Sequence, residues 1–248
     1  MKGFVLEACV DSVESAVAAA RGGATRLELC ANLIIGGTTP SLALFDAVRA
    51  AVDIPINVLI RPRFGDFLYT DAEYRIMCHE ITLFAERGAN AVVIGALTAD
   101  GGLDREKMIG MIAAAKGCRV TMHRAFDVCR DPFKTLEEAI SLGVDTILTS
   151  GQKANAGAGR ELIGKLIEKA GERAEILVGG GVSADLIAEF RREFPGSNAF
   201  HLSGKTVLDS GMTYRNAEVS MGLPGISEFE IWRTDEGAIR RAADALML

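Results

Sequence analysis

The chain has 248 residues, 49% hydrophobic and 24% charged, with a formal net charge of -6. That length suffices for one large α/β domain or two small ones, and the acidic balance disfavours nucleic acid or an anionic membrane surface, since both call for clustered Lys and Arg. No run approaches the roughly 20 unbroken apolar residues of a transmembrane helix, and the opening "MKGFVLEACVDS" reaches an acid too early for a secretory signal. Cys9, Cys30, Cys78, Cys118 and Cys129 form an odd set without CxxC spacing. Such a set argues against a zinc site or a disulfide framework and for a soluble protein of the reducing cytoplasm.

Apolar runs of strand length alternate with amphipathic helical stretches from end to end. Residues 4–10 read as a strand, and 12–21 as a helix capped by Ser12 and ended by Gly22 and Gly23. A second strand at 26–30 leads to Thr39 and Pro40, which read as a hydroxyl cap with proline in the first turn of the next helix. Strand 56–62 precedes helix 71–87, which Gly88 stops; strand 91–97 precedes helix 104–116; strand 119–126 precedes helix 132–142, ended by Gly143. Strands 146–150, 175–178 and 199–203 complete the series with helices 160–170, 184–194 and 236–246.

Strict alternation implies parallel strands with helical crossovers, and eight units in about 250 residues match a closed (β/α)8 TIM barrel. A doubly wound open sheet is the rival; it usually has fewer strands, and no GxGxxG follows the first strand here. No linker divides the chain, so residues 1–248 read as one barrel domain. Residues 205–235 form a connection far longer than the usual 2–6 residues. Leaving the C-terminal end of the last strand, it is expected over the barrel mouth as a lid or an oligomer contact.

Side chains two apart on a strand share a face, so Glu7 and Cys9 point one way, as do Glu28 and Cys30. The third strand offers Arg61 and Arg63, the fifth His123 and, on the same alternation, Asp127, and the eighth His201 and Ser203. Ser150 ends the sixth strand, and Gly179, Gly180 and Gly181 follow the seventh like an anion cradle before a helix start. Charged groups are rarely buried unless paired or functional, and C-terminal strand ends are where barrels build active sites. Glu7, Glu28, Arg61, Arg63, His123, Asp127 and His201 are therefore the candidate catalytic groups, with Ser150, the three glycines and Ser203 as candidate ligand contacts. A structural ion-pair network sealing the barrel top is the competing account of the charges. Cys9 and Cys30, on strands about 4.8 Å apart, are candidate metal ligands, because paired thiolates select a soft ion such as Cu(I). Neighbouring Arg and His are expected to lower the thiol pKa values. Met77-Cys78-His79 reads as an ordinary helix face, and Cys129 as a further thiol near the mouth.

The stretches "ELCANLIIGGTTPS", "IRPRFGDFLYTDAE", "HRAFDVCRDP", "ILTSGQK" and "TYRNAEVSMG" together resemble the CutC family of copper homeostasis proteins over nearly the whole chain. The resemblance implies a cytoplasmic barrel, a homodimer, and Cu(I) as the bound ion, with Cys9 and Cys30 at the positions of the implicated cysteines. The residues themselves leave a second function open. That function is a lyase- or isomerase-type enzyme acting on a small anionic, possibly phosphorylated, metabolite, with Arg61 and Arg63 as clamp, Glu28 or His123 as base and His201 as acid.

Overall fold

In the computed structural model, which describes residues 3–216, 218–219, 221–222 and 225–247, strands and helices alternate as the sequence predicts. They run β1 (Val5–Val10), α1 (Val13–Arg21), β2 (Arg26–Leu29), α2 (Leu42–Ala51), β3 (Ile56–Leu59), α3 (Asp71–Glu86), β4 (Ala91–Ile94) and α4 (Arg105–Ala114). The second half continues with β5 (Arg119–Met122), α5 (Pro132–Ser141), β6 (Thr146–Thr149), α6 (Arg160–Ala170), β7 (Glu175–Val178), α7 (Ala184–Glu193) and β8 (Ala199–Leu202). After β8 come β9 (Lys205–Asp209), β10 (Glu230–Thr234) and α8 (Glu236–Met247). Strands β1 to β8 pair in sequence order, and β8 returns to β1 in parallel register to close the TIM barrel.

Side-chain caps fix where the helices begin. Ser12 accepts from the Ser15 amide at 3.3 Å, and Thr70 and Glu73 form a reciprocal capping box at the start of α3. Asp131 accepts from the Phe133 and Lys134 amides, with Pro132 in the first turn of α5. The start of α2 corrects the expectation at Thr39 and Pro40. Ser41 is the cap, accepting from the Leu44 amide at 3.1 Å. Thr39 instead donates its hydroxyl to Glu80 and accepts from the Arg61 amide.

The main core lies between the strands and the helical ring, where Phe45, Phe84, Phe190 and Phe200 are almost fully buried. Phe45 and Phe84 meet edge to face, with centroids 5.6 Å apart. The barrel interior is different, for its lower part is polar. Arg26 Nε donates to Glu7 Oε2 at 2.5 Å while Arg26 Nη2 lies 2.9 Å from Glu175 Oε1. Asn57 donates to Glu7 Oε2 at 2.9 Å and receives from Asn90 at 2.7 Å. Above this rung sits a small apolar cluster of Cys9, Cys30, Leu59 and Val93.

The long connection contains an antiparallel hairpin, β9 against β10. Its base is tied to the flank of the barrel: the Thr234 amide donates to Ser15 Oγ of α1 at 3.1 Å, and the Thr234 hydroxyl donates to the Ser203 carbonyl at 3.1 Å. Lys205 Nζ stands 4.1 Å from the centre of the Trp232 ring. The sequence "TYRN" at 213–216 falls on the exposed outer part, with Tyr214 largely exposed. Among the described residues no helix is long and apolar enough to cross a membrane.

Glu7 is wholly buried and its charge is matched by Arg26 and His201. Removing one member of a buried pair strands the other charge, so Glu7→Gln is expected to destabilise the fold by about 3–5 kcal/mol. Urea unfolding measures this, and a midpoint unchanged from the parent would show that Glu7 does not anchor the barrel.

Candidate functional site

The register of β1 and β2 builds the floor of the site. Cys9 lies opposite Glu28, while Cys30 stands just past the end of β2, its amide donating to the Val10 carbonyl at 3.0 Å. The two sulfurs are thus diagonal, with Cys9 Sγ 3.8 Å from Cys30 Sγ. Cys9 donates to Glu28 Oε1 at 3.4 Å, and Cys30 to the Val10 carbonyl at 3.6 Å. The turn at Gly36 and Gly37 closes over Cys30. Gly37 has φ 84°, and a Cβ there would come within 2.8 Å of Leu59 and 3.3 Å of Cys30 Cβ. Donor atoms of Cys9, Glu28 and His201 all lie within 4.8 Å of one another.

Charge at this floor is strongly organised. Burial resists ionisation of Glu7, but the hydrogen bond from His201 and the charge of Arg26 outweigh it and hold the carboxyl at about 2. His201 Nδ1 donates to Glu7 Oε1 at 2.8 Å. Burial disfavours its imidazolium, yet Glu28, with Cys9 and Glu7 beside it, raises the pKa well above the ordinary 6.5. Burial pushes the Glu28 carboxyl up, against the charge of His201. The expectation of acidified thiols is reversed at Cys9. Its hydrogen bond with Cys30, its burial and the charge of Glu28 raise the thiol pKa well above 9.0.

Above the floor opens a cavity of about 580 Å³ at the C-terminal ends of the strands. Cys9, Glu28, Arg61, His123, His201, Gly180, Gly181 and Ser203 line it, so residues from six strands or the loops after them do converge. Cys30 and Glu7 lie behind the wall. Arg63 turns away: its Nε donates to Glu73 at 2.5 Å and its Nη2 pairs with Asp66, because the segment after Leu59 leaves strand geometry. Asp127 is likewise off the expected alternation. Strand β5 stops at Met122, and a 3-10 turn, Arg124–Val128, follows. There Asp127 accepts from the Thr149 hydroxyl at 2.6 Å and from the Ser150 amide and hydroxyl, which binds the start of the next loop. Ser150 is fully buried in that contact, and neither it nor Gly179 lines the cavity. Cys129 is a buried neighbour of Gln152, also outside the lining. Residues the sequence reading passed over are Phe67, Arg124, Lys205 and Arg241, all in the wall. Arg124 and Lys205 were within reach, each one or two positions from a candidate.

His123 accounts for the turn after β5. Its Nδ1 accepts from the Ala125 amide at 3.1 Å, capping the 3-10 turn, and its ring packs 4.9 Å from the Phe67 centroid. Gly95 makes room for it, since a Cβ there would come within 2.7 Å of the ring. Burial, with the charge of Arg61, lowers the His123 pKa to about 3. The folded protein thus holds His123 neutral, whereas the unfolded chain protonates it near 6.5. The stability it contributes is present above about pH 6.5 and falls away towards pH 3, by about 1.4 kcal/mol per pH unit. His123→Asn, which keeps an acceptor, is expected to flatten the acid limb of stability between pH 6 and pH 4 in urea titrations. An unaltered slope would contradict a buried neutral His123.

Comparison with known proteins agrees with this architecture. The CutC family profile matches residues 4–206. The human copper homeostasis protein cutC homolog is 45% identical over 239 residues, covering 96% of this chain and 87% of its own. A CutC family protein of Parabacteroides distasonis is 47% identical over 238 residues, covering 95% and 98%. A solved CutC structure from Streptococcus agalactiae superposes with a TM-score of 0.76 at 32% identity, over 81% of this chain and 98% of that one. On the matched profile and on these relatives, the chain belongs to the CutC family.

Proposed function

We propose that the protein acts in cytoplasmic copper homeostasis by binding Cu(I) as cargo between Cys9 and Cys30, with His201 as the adjoining donor. The observation that carries this reading is the pair of buried thiols, 3.8 Å apart, with Cys9 in the lining of an open cavity and Cys30 behind it. Two sulfurs and an imidazole form a soft donor set of the kind Cu(I) favours. Glu28 accepts the Cys9 hydrogen bond and is the group placed to take its proton; Glu7 orients the His201 ring. All five cysteines are unbridged, which suits a reducing compartment.

Without metal, Cys9 and His201 hold their protons, since both pKa values are raised. Ligation must expel those protons. Affinity is therefore expected to rise with pH between 6 and 8, by about tenfold per unit for each proton released. Competition titration of the reduced protein against a Cu(I) chelator measures this. The Cys9→Ser/Cys30→Ser double variant is expected to bind at least about 100-fold more weakly; unchanged affinity in it would rule out the site.

The homodimer belongs to the same proposal. Val207, Leu208, Met212, Tyr214 and Ile231 are exposed on and beside the hairpin, an apolar concentration of the type that marks an association surface. Sedimentation equilibrium is expected to return twice the chain mass, and Leu208→Glu to shift it towards the monomer. A monomeric parent protein would refute the dimer.

A further inference from the structure

The cavity carries charge that a thiolate site does not use. Arg61, Arg124, Lys205 and Arg241 line it against a single carboxylate, Glu28, in a chain whose net charge is -6. Three of these cations have partners. Arg124 pairs with Asp127 at 2.7 Å, Arg241 with Asp235 at 3.8 Å, and Lys205 stands over Trp232. Arg61 is different. It is only 8% exposed, and no carboxylate among the described residues pairs with it. Its Nη1 donates to the Gly36 and Gly37 carbonyls, and its Nη2 to the Gly65 carbonyl at 2.8 Å. Of the five guanidinium hydrogens, this leaves the Nε–H and one Nη2–H, and Nε is buried without a partner. A buried charge lacking a counter-charge is costly.

A second unpartnered donor belongs to His123, which also lines the cavity. Because His123 Nδ1 accepts from the Ala125 amide, its neutral ring carries the proton on Nε2. That atom is also buried without a partner, and His123 is 4% exposed. The Phe67 ring bridges the two donors, 5.1 Å from the Arg61 guanidinium and 4.9 Å from the imidazole. The opposite wall holds Gly180, Gly181 and the first residues of α7, whose amino end favours negative charge. We propose that the cavity is a binding site for a small oxyanion, a carboxylate or phosphate ester of a few carbons, held by Arg61 and by His123 Nε2–H. The site shares the cavity with the copper reading but none of its donors, since neither side chain is a proposed copper donor.

Isothermal titration of the full chain tests this, with the protein reduced and kept metal-free by a Cu(I) chelator. Inorganic phosphate and malonate are titrated separately, against chloride at equal ionic strength. Saturable one-site binding of either anion is expected; phosphate alone marks a phosphate ester as the ligand class, malonate alone a carboxylate. Arg61→Gln is expected to weaken binding at least tenfold and His123→Asn severalfold. Since Arg61 also holds two turns, the unmutated protein supplies a further readout: the His123 Nε2–H resonance shifts as the anion saturates. Binding no stronger than chloride, binding undiminished in both variants, or a resonance that does not move would each overturn the proposal. A failed copper titration would leave this result untouched, and the reverse also holds.

Discussion

The buried carboxylate of Glu7 is the interaction on which the rest of the molecule depends. It sits where the barrel closes, with its own strand paired to β2 on one side and to β8 on the other. One oxygen receives Arg26 and Asn57, the other His201. Three strands are thereby fastened to one side chain. Residues 194 positions apart in sequence meet at that seam, so the longest-range strand pairing of the barrel is specified by charge as well as by backbone hydrogen bonds. An apolar residue could fill the same volume, but it would not orient an imidazole at the floor of the cavity.

Electrostatic differentiation of the site follows from that anchor. Two glutamates, Glu7 and Glu28, lie close to one histidine, and their environments push them in opposite directions. The one bound by Arg26 and Asn57 stays ionised; the other, buried beside a thiol, is held towards its protonated form. A second contrast divides the histidines. His201 is surrounded by acids and keeps its proton, whereas His123, enclosed near Arg61, does not. Separations of this sort are typical of functional sites. Here the protonated imidazole stands at the floor beside the thiols, and the neutral one stands in the wall near Arg61.

Much of this was legible from residue order. Eight alternations implied the barrel, and period-two spacing put Glu7 with Cys9 and Glu28 with Cys30 on inward faces. The relative height of the two cysteines was not legible, because strand stagger comes from closing the ring and not from any local pattern; Cys9 faces Glu28, and Cys30 sits beyond it. Period-two reasoning also failed at two positions beyond strands that ended earlier than their apolar runs. Arg63 and Asp127 lie past such ends, at Leu59 and Met122, and each is captured by a local partner that alternation does not anticipate. The hairpin was hidden in a connection read only as a lid or an oligomer contact, though "KTVLD" and "EIWRT" carry β-branched and aromatic residues at strand spacing.

Strand β1 holds Glu7 and Cys9 two residues apart, one fastening the closing seam and the other facing the cavity. On an extended strand paired on both sides, that step fixes the two Cα atoms relative to each other. The Cys9 backbone belongs to the same strand that β2 and β8 hold at Glu7, so the sulfur moves only by rotation about its own Cα–Cβ bond. The thiol's reach into the cavity is thus fixed by where the ring closes, with a single torsion left to adjust it.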